Sequence, residues 1–346
     1  MALELLSPAG SPEALRAAVQ SGCGAVYLGW GNFNARRSAK NFSDEEFADA
    51  IRYCHLRGVR VFLTLNTLLT DRELPLALDA ARTACRLGVD SVLVQDWGLF
   101  ALLREALPDL PLHASTQMSV FTAGGANEVY VDGCERVVIA RECSREDTAA
   151  ICKACPAEIE IFGHGALCMC YSGQCEMSAL IGGRSGNRGT CAQPCRLPHD
   201  LVDEEGNVVE APGNTRPLCP KDYCTVDHLQ EMIDAGAGSL KVEGRMKAPD
   251  YVYNVVGAYR EAIDATLAGH QLDAAEDLAV HRRLKRAFNR DFTDAYLMGT
   301  SGDEMMSYDR SNNRGEVVGT VASSRALEDR VARRGGGNGG RQRTRR

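Results

Sequence analysis

The sequence predicts an α/β chain: a TIM-type (β/α)8 barrel with a long cysteine-rich insertion after its seventh strand and a truncated C-terminal β segment. Two observations lead there. Over the first 270 residues one unit recurs, a short apolar or β-branched run bounded by polar turns and followed by an amphipathic helical stretch. Eight such units in series point to a closed barrel, with an open doubly wound sheet as the alternative. The second observation is where the rhythm breaks. Residues 163–224 carry no such unit, and a connection that long is usually functional.

The strand candidates are LELLS (3–7), AVYLG (25–29), RVFLTL (60–65), SVLVQ (91–95), LHAST (112–116), RVVIA (136–140), EIEIF (158–162) and SLKVE (239–243). Each reads as a parallel strand buried on both faces. Ser11-Pro12 is an N-cap followed by proline at the first helical position, and Ser43-x-x-Glu46 and Thr70-x-x-Glu73 match capping boxes. Gly22, Gly58, Gly88 and Gly236 stand where helices should stop. A helix is expected near Thr225–Gly236, and Tyr251–Gly269 gives the long helix after strand eight. Within the insertion, 201–218 reads as a hairpin with turns at Glu205-Gly206 and Gly213-Asn214. The expected organisation is a barrel over 1–275, including insertion 163–224; a helical linker and the start of a β domain over 276–324, with VVGTV (317–321) as its strand; and a disordered Arg/Gly-rich tail over 325–346.

The insertion holds Cys168, Cys175, Cys191 and Cys195, spaced C-x6-C-x15-C-x3-C, in a glycine-rich setting. Four thiolates in one segment can surround zinc or an iron–sulfur cluster. The spacing lacks the paired C-x2-C knuckles of a zinc ribbon. The plainer alternative is a set of buried free thiols. Cys170 falls outside the spaced set, and Cys219 and Cys224 keep the choice of fourth ligand open. Fourteen cysteines in a chain without a leader-like N-terminus or a membrane-length apolar run fit a reducing compartment, so a cytoplasmic protein with no membrane partner is expected.

Barrel chemistry sits at the C-terminal ends of the strands. Those ends supply Arg36, Arg37, Gln117, Arg141, Arg184, Arg188 and Arg245 as binding candidates, and Lys241, Glu243 and His164 as catalytic candidates. The chain carries a net charge of −7, yet it gathers basic residues on one face, as an anionic partner requires. The bland reading is a solvated set of loop charges or, for Lys241 and Glu243, a structural ion pair. No G-x-S-x-G elbow or H-E-x-x-H helix occurs in the sequence.

HGALCMCYSGQC followed by GGRSGNRGTCAQPCR, with SLKVEGRMK at 239–247 and the opening LSPAGSPEALRAAVQSGCGAVYLG, resembles the collagenase-like peptidases of family U32 over about residues 3–320. The likeness is to the branch of RNA hydroxylases that place a hydroxyl on carbon 5 of a pyrimidine in ribosomal or transfer RNA. It implies a [4Fe–4S] cluster on the four cysteines, with zinc as the alternative metal, prephenate as co-substrate and RNA as partner. It says nothing of oligomeric state. A peptidase acting on collagen-like substrates and a metal-stabilised RNA-binding scaffold are the competing functions.

Overall fold

All eight anticipated strands form, and they close on themselves. The computed structural model describes residues 3–316, 319–321 and 323, apart from 32, 37–40 and 210–214. Strands β1 (Glu4–Ala9), β2 (Ala25–Leu28), β3 (Arg60–Leu65), β4 (Ser91–Val94), β5 (Leu112–Ala114), β6 (Arg136–Val138) and β7 (Glu158–Ala166) pair in parallel, each with the next. A short β8 (Asp222–Cys224) follows, then β9 (Ser239–Val242), which pairs in parallel with both β7 and β1. The ring is therefore complete, and the open-sheet alternative is excluded. Apolar residues on the outward faces of these strands pack against the helices, where Leu5, Leu28, Leu63 and Leu240 are fully buried.

The helices are α1 (Pro12–Gln20), α2 (Asp44–His55), α3 (Leu74–Leu87), α4 (Trp97–Ala106), α5 (Ala123–Val131), α6 (Arg145–Ala154), α7 (Met177–Gly182), α8 (Leu229–Asp234), α9 (Pro249–Leu267) and α10 (Ala274–Arg286). Ser11 caps α1 through Ala14, Ser43 and Glu46 close a reciprocal capping box on α2, and Gly88 ends α3 in the left-handed region. The capping box expected at Thr70 is not one. Helix α3 starts at Leu74, and the Glu73 carboxylate instead accepts from the Thr70 backbone and hydroxyl inside the preceding turn. That frees its geometry for a long-range role described below.

The expected boundary at 275 does not part the fold. Helix α10 packs on α9, and Met1–Gly315 forms one compact unit. Within the expected helical linker, LKRAFNRDFTDAYLMG (284–299) is helical at its start, in α10, and at its end, in a short 3-10 helix (Ala295–Met298). Its middle forms β10 (Phe292–Thr293), which joins β8, and β8 in turn runs antiparallel to the end of β7. The hairpin at 201–209 is present as a Val202–Val208 bridge with Gly206 at φ +85°; its second turn, at Gly213-Asn214, lies outside the described residues. Within the remaining unit, Glu316–Arg346, the described residues 319–321 of the expected VVGTV strand are not in a strand, while Val317, Val318 and the tail 325–346 lie outside the described residues. No helix among the described residues is long and apolar enough to cross a membrane.

Inward-facing residues on alternate positions build an unusually polar barrel interior. Arg136 is fully buried and donates to Glu4 at 2.7 Å, Glu160 at 2.9 Å and Glu158 at 2.6 Å. Lys241 donates to the other Glu160 oxygen at 2.7 Å. This layer fills the lower barrel and leaves the charged groups above it to the mouth.

Candidate active site at the barrel mouth

Above Lys241, the end of β9 lifts Glu243 into the mouth, where three guanidinium groups surround one carboxylate. Arg36 donates to Glu243 Oε1 at 3.1 Å, and Arg141 Nη2 lies 3.9 Å from Oε2. Arg245 sits beneath, donating to Thr64 at 2.8 Å and Asn34 at 3.2 Å. Burial would raise the Glu243 carboxyl, but Arg36, Arg141, Arg245 and Lys241 outweigh it and hold the group below its ordinary range. Glu243 therefore stays ionised at neutral pH and serves poorly as a general acid. Burial, reinforced by Arg36, lowers Arg245 to about 10. The Arg141 guanidinium lies 4.1 Å over the Phe162 ring, and its buried Nε has no partner. Among the described residues, the three guanidinium groups and one carboxylate of this layer leave two positive charges in surplus, which suits an anion bearing two negative charges.

The other sequence candidates divide. Lys241 is buried, pinned on Glu160 with its ammonium 4.6 Å from the Tyr27 ring; burial lowers its pKa while Glu160 opposes that. Gln117 spends its amide on Asn66 O at 2.8 Å and Gln95 at 3.2 Å, binding strand ends together. Arg188 is no free cation, since it forms a two-pronged bond with Glu73 at 2.7 and 2.8 Å. That bond, with help from Thr70, pulls the Glu73 carboxyl down to about 2. Arg184 is exposed and donates only locally, to Thr190 O. Arg37 lies outside the described residues.

His164 is placed differently from the rest. A register shift between Phe162 and His164 on β7 turns its ring away from the mouth layer and against Tyr251, Tyr259 and Phe292, with centroids 6.2, 5.5 and 5.5 Å away. Both ring nitrogens are buried without partners. Burial, then Lys247, lowers its pKa from 6.5 to about 3. Between those values the unfolded chain binds a proton that the folded chain refuses. The stability contributed by the neutral ring is thus complete above the unfolded pKa and is lost as pH falls, by up to about 1.4 kcal/mol per pH unit. His164→Phe should flatten the decline of the urea midpoint below neutral pH; identical pH profiles for both proteins would contradict this.

The cysteine insertion arches over the mouth and is fastened at both sides. Ser172 bonds Ser119 and Glu142 on one side, at 2.5 and 3.2 Å. On the other, Asn187 donates to Gln95 at 2.7 Å and accepts from the Leu68 amide, beside the Arg188–Glu73 pair. Gly173, at φ +80°, passes so close to Gln117 that a Cβ would stand 2.8 Å from its Cα.

The four spaced cysteines lie together in this arch. Burial pushes the Cys195 thiol up to about 11; Arg196 opposes the rise, and Cys168, Cys191 and Cys175 add to it. Cys191 already accepts two hydrogen bonds, from the Gln193 amide at 3.3 Å and the Ser178 hydroxyl at 3.6 Å. Cys168 and Cys191 are exposed, Cys175 and Cys195 half-buried; thiols grouped in this way, with N–H and O–H donors aimed at one sulfur, could serve as ligands of a soft metal centre. Cys170 is not apart from this group as expected. It hydrogen-bonds Cys175, and its raised pKa reflects burial followed by Cys175 and Cys168. Cys219 is buried and accepts from Arg196 at 3.3 Å, while Cys224 accepts from Tyr259 at 3.7 Å on the outer side of β8. Sequence reasoning did not assign Asn34, Thr64, Gln95 and Asn187 to the site, and it read Glu73 only as a cap. Each acts through a partner distant in sequence, which no local pattern marks.

The model of Peptidase family U32 matches residues 10–307. The 23S rRNA 5-hydroxycytidine C2501 synthase of Escherichia coli (strain K12) is 39% identical over 324 residues, covering 92% of this chain and 48% of that protein. The tRNA hydroxylation protein P1 of Bacillus subtilis (strain 168) is 34% identical over 309 residues, 87% of this chain and 72% of that protein. A protein named Collagenase from Porphyromonas gingivalis (strain ATCC BAA-308 / W83) is 34% identical over 311 residues, 86% and 73% of the two chains. The chain thus spans about half the length of the Escherichia coli relative.

Proposed function

This chain belongs to peptidase family U32, and from that premise we propose that it hydroxylates carbon 5 of a pyrimidine in ribosomal or transfer RNA, in the cytoplasm, with prephenate as co-substrate. Cys168, Cys175, Cys191 and Cys195 would hold a [4Fe–4S] cluster, which supplies one-electron chemistry when bound. The observation that carries the reading is a juxtaposition: the thiol-bearing arch is fastened directly over a mouth layer with surplus positive charge. Arg36, Arg141 and Arg245 would receive the two carboxylates of prephenate, and Glu243, held ionised, would keep the guanidinium forks oriented. Relatives named for rRNA and tRNA hydroxylation support RNA as the second substrate.

The peptidase reading would need His164 to activate Cys168. The ring packs instead among three aromatic residues with neither nitrogen bonded. Anaerobically purified protein given RNA and prephenate should yield a 5-hydroxypyrimidine by nucleoside mass spectrometry. Arg141→Met should raise the KM for prephenate at least about tenfold, because a charged hydrogen bond contributes roughly 1.5–3 kcal/mol, with RNA affinity unchanged. Product formed equally well without prephenate would sink the co-substrate assignment.

A further inference from the structure

Large aromatic side chains scattered singly on a surface need no explanation, but several converging at one rim do. Phe121 is 52% exposed, Tyr171 62% and Tyr296 37%. They come from three distant segments: the loop after β5, the cysteine arch, and the short helix after β10. The Phe121 and Tyr171 ring centroids are 6.5 Å apart with planes tilted by 40°. The rings are thus not stacked on each other. Their separation is close to twice the ~3.4 Å rise of stacked bases, so a modest rotation opens a slot for one planar ring. Tyr296 stands near enough that Glu142 and Tyr171, after burial, raise its phenol.

The support beneath these rings is fixed. Ser119 donates to Ser172 O, and Gln174 donates to Ser119 at 3.0 Å, locking the Phe121 loop to the Tyr171 segment. Ser119 itself is held at φ +55° and Ala295, which precedes Tyr296, at φ +47°. Such backbone persists only where its surroundings impose it. The backbone beneath the rings is thus held, and binding has only side-chain rotation left to order.

We propose that Phe121 and Tyr171, with Tyr296 at the rim, form a stacking platform for unpaired bases of single-stranded RNA beside the nucleotide held in the mouth. The proposal rests on the RNA reading above. The chemistry favours this occupant over an apolar protein segment, because ring faces alternate with hydrogen-bonding groups of Ser119, Gln174 and Glu142, as base faces and edges require.

The test uses the full chain and a short single-stranded pyrimidine RNA carrying one 2-aminopurine, whose fluorescence is quenched by stacking. Wild type should quench the probe on binding. Phe121→Ala and Tyr171→Ala should each weaken binding at least about fivefold, since base–aromatic stacking is worth roughly 1–3 kcal/mol. Tyr171→Trp should retain affinity. The alanine variants should raise the KM for RNA with kcat kept, and melt with the wild type because both rings are exposed. Wild-type affinity and KM in both alanine variants, or binding without quenching, would overturn the platform even if hydroxylation is observed. If wild type makes no hydroxypyrimidine while the quenching and its loss in the variants persist, the hydroxylase reading falls and the platform stands.

Discussion

Changing any one of Cys168, Cys175, Cys191 or Cys195 to serine should bleach anaerobically reconstituted protein and bring RNA hydroxylation below detection. A four-thiolate cluster has no spare ligand, so loss of one sulfur should empty or fragment the site. Iron should fall from about four per chain toward zero in each variant. The variants should still unfold cooperatively, because the arch is fastened by Arg188–Glu73, Asn187–Gln95 and Ser119–Ser172. Cys170→Ser is the sharper control. Its thiol bonds Cys175, so it sits beside the set, yet it should keep its colour and activity. Bleaching by Cys219→Ser but not by Cys195→Ser would overturn the ligand assignment. Zinc in place of iron in protein purified without oxygen would overturn the cluster.

Arg136→Ala should cost about 3–5 kcal/mol, the range for removing one partner of a buried ionic group. Burial disfavours the charge of Arg136, and Glu160, Glu4 and Glu158 more than offset that. Without it, Glu160 keeps Lys241 and the Ser239 hydroxyl, and Glu4 keeps Ser239 and Arg60 but loses its buried guanidinium. Domains are stable by only about 5–15 kcal/mol in total, so the variant should show a large drop in urea midpoint and poor soluble yield at growth temperature. An unchanged midpoint would mean that water or a local rearrangement replaces the guanidinium. Arg136→Met keeps the volume but leaves three carboxylates facing one another without the guanidinium they share, so it should not rescue.

The two periodicities carried most of the fold. Runs such as RVFLTL and SLKV are short and buried, with apolar residues on the face toward the helices, and caps such as Ser11 and Ser43 act through near neighbours. What could not be read depended on partners distant in sequence. Thr70-x-x-Glu73 matched a local pattern, but its carboxylate is claimed by Arg188, 115 residues away. The strand β10 forms only because β8 offers it an edge. Arg136 looked like the polar end of an apolar strand. The alternation Glu158-Ile159-Glu160 opposite Lys241 did carry a usable signal, since two acids and a base on inward positions must pair. At the site, the choice of strand ends included Arg36, Arg141, Arg245 and Glu243, which the structure brings together. His164 was legible as a strand-end histidine, but the bulge that turns it outward was not.

The central claim is that this chain modifies RNA. Nucleoside mass spectrometry of ribosomal and transfer RNA should be compared among a strain lacking the gene, the same strain given this chain, and the same strain given its Cys195→Ser variant. The account predicts that a 5-hydroxypyrimidine disappears on deletion, returns with the chain and does not return with the variant. An identical nucleoside profile in all three would contradict it.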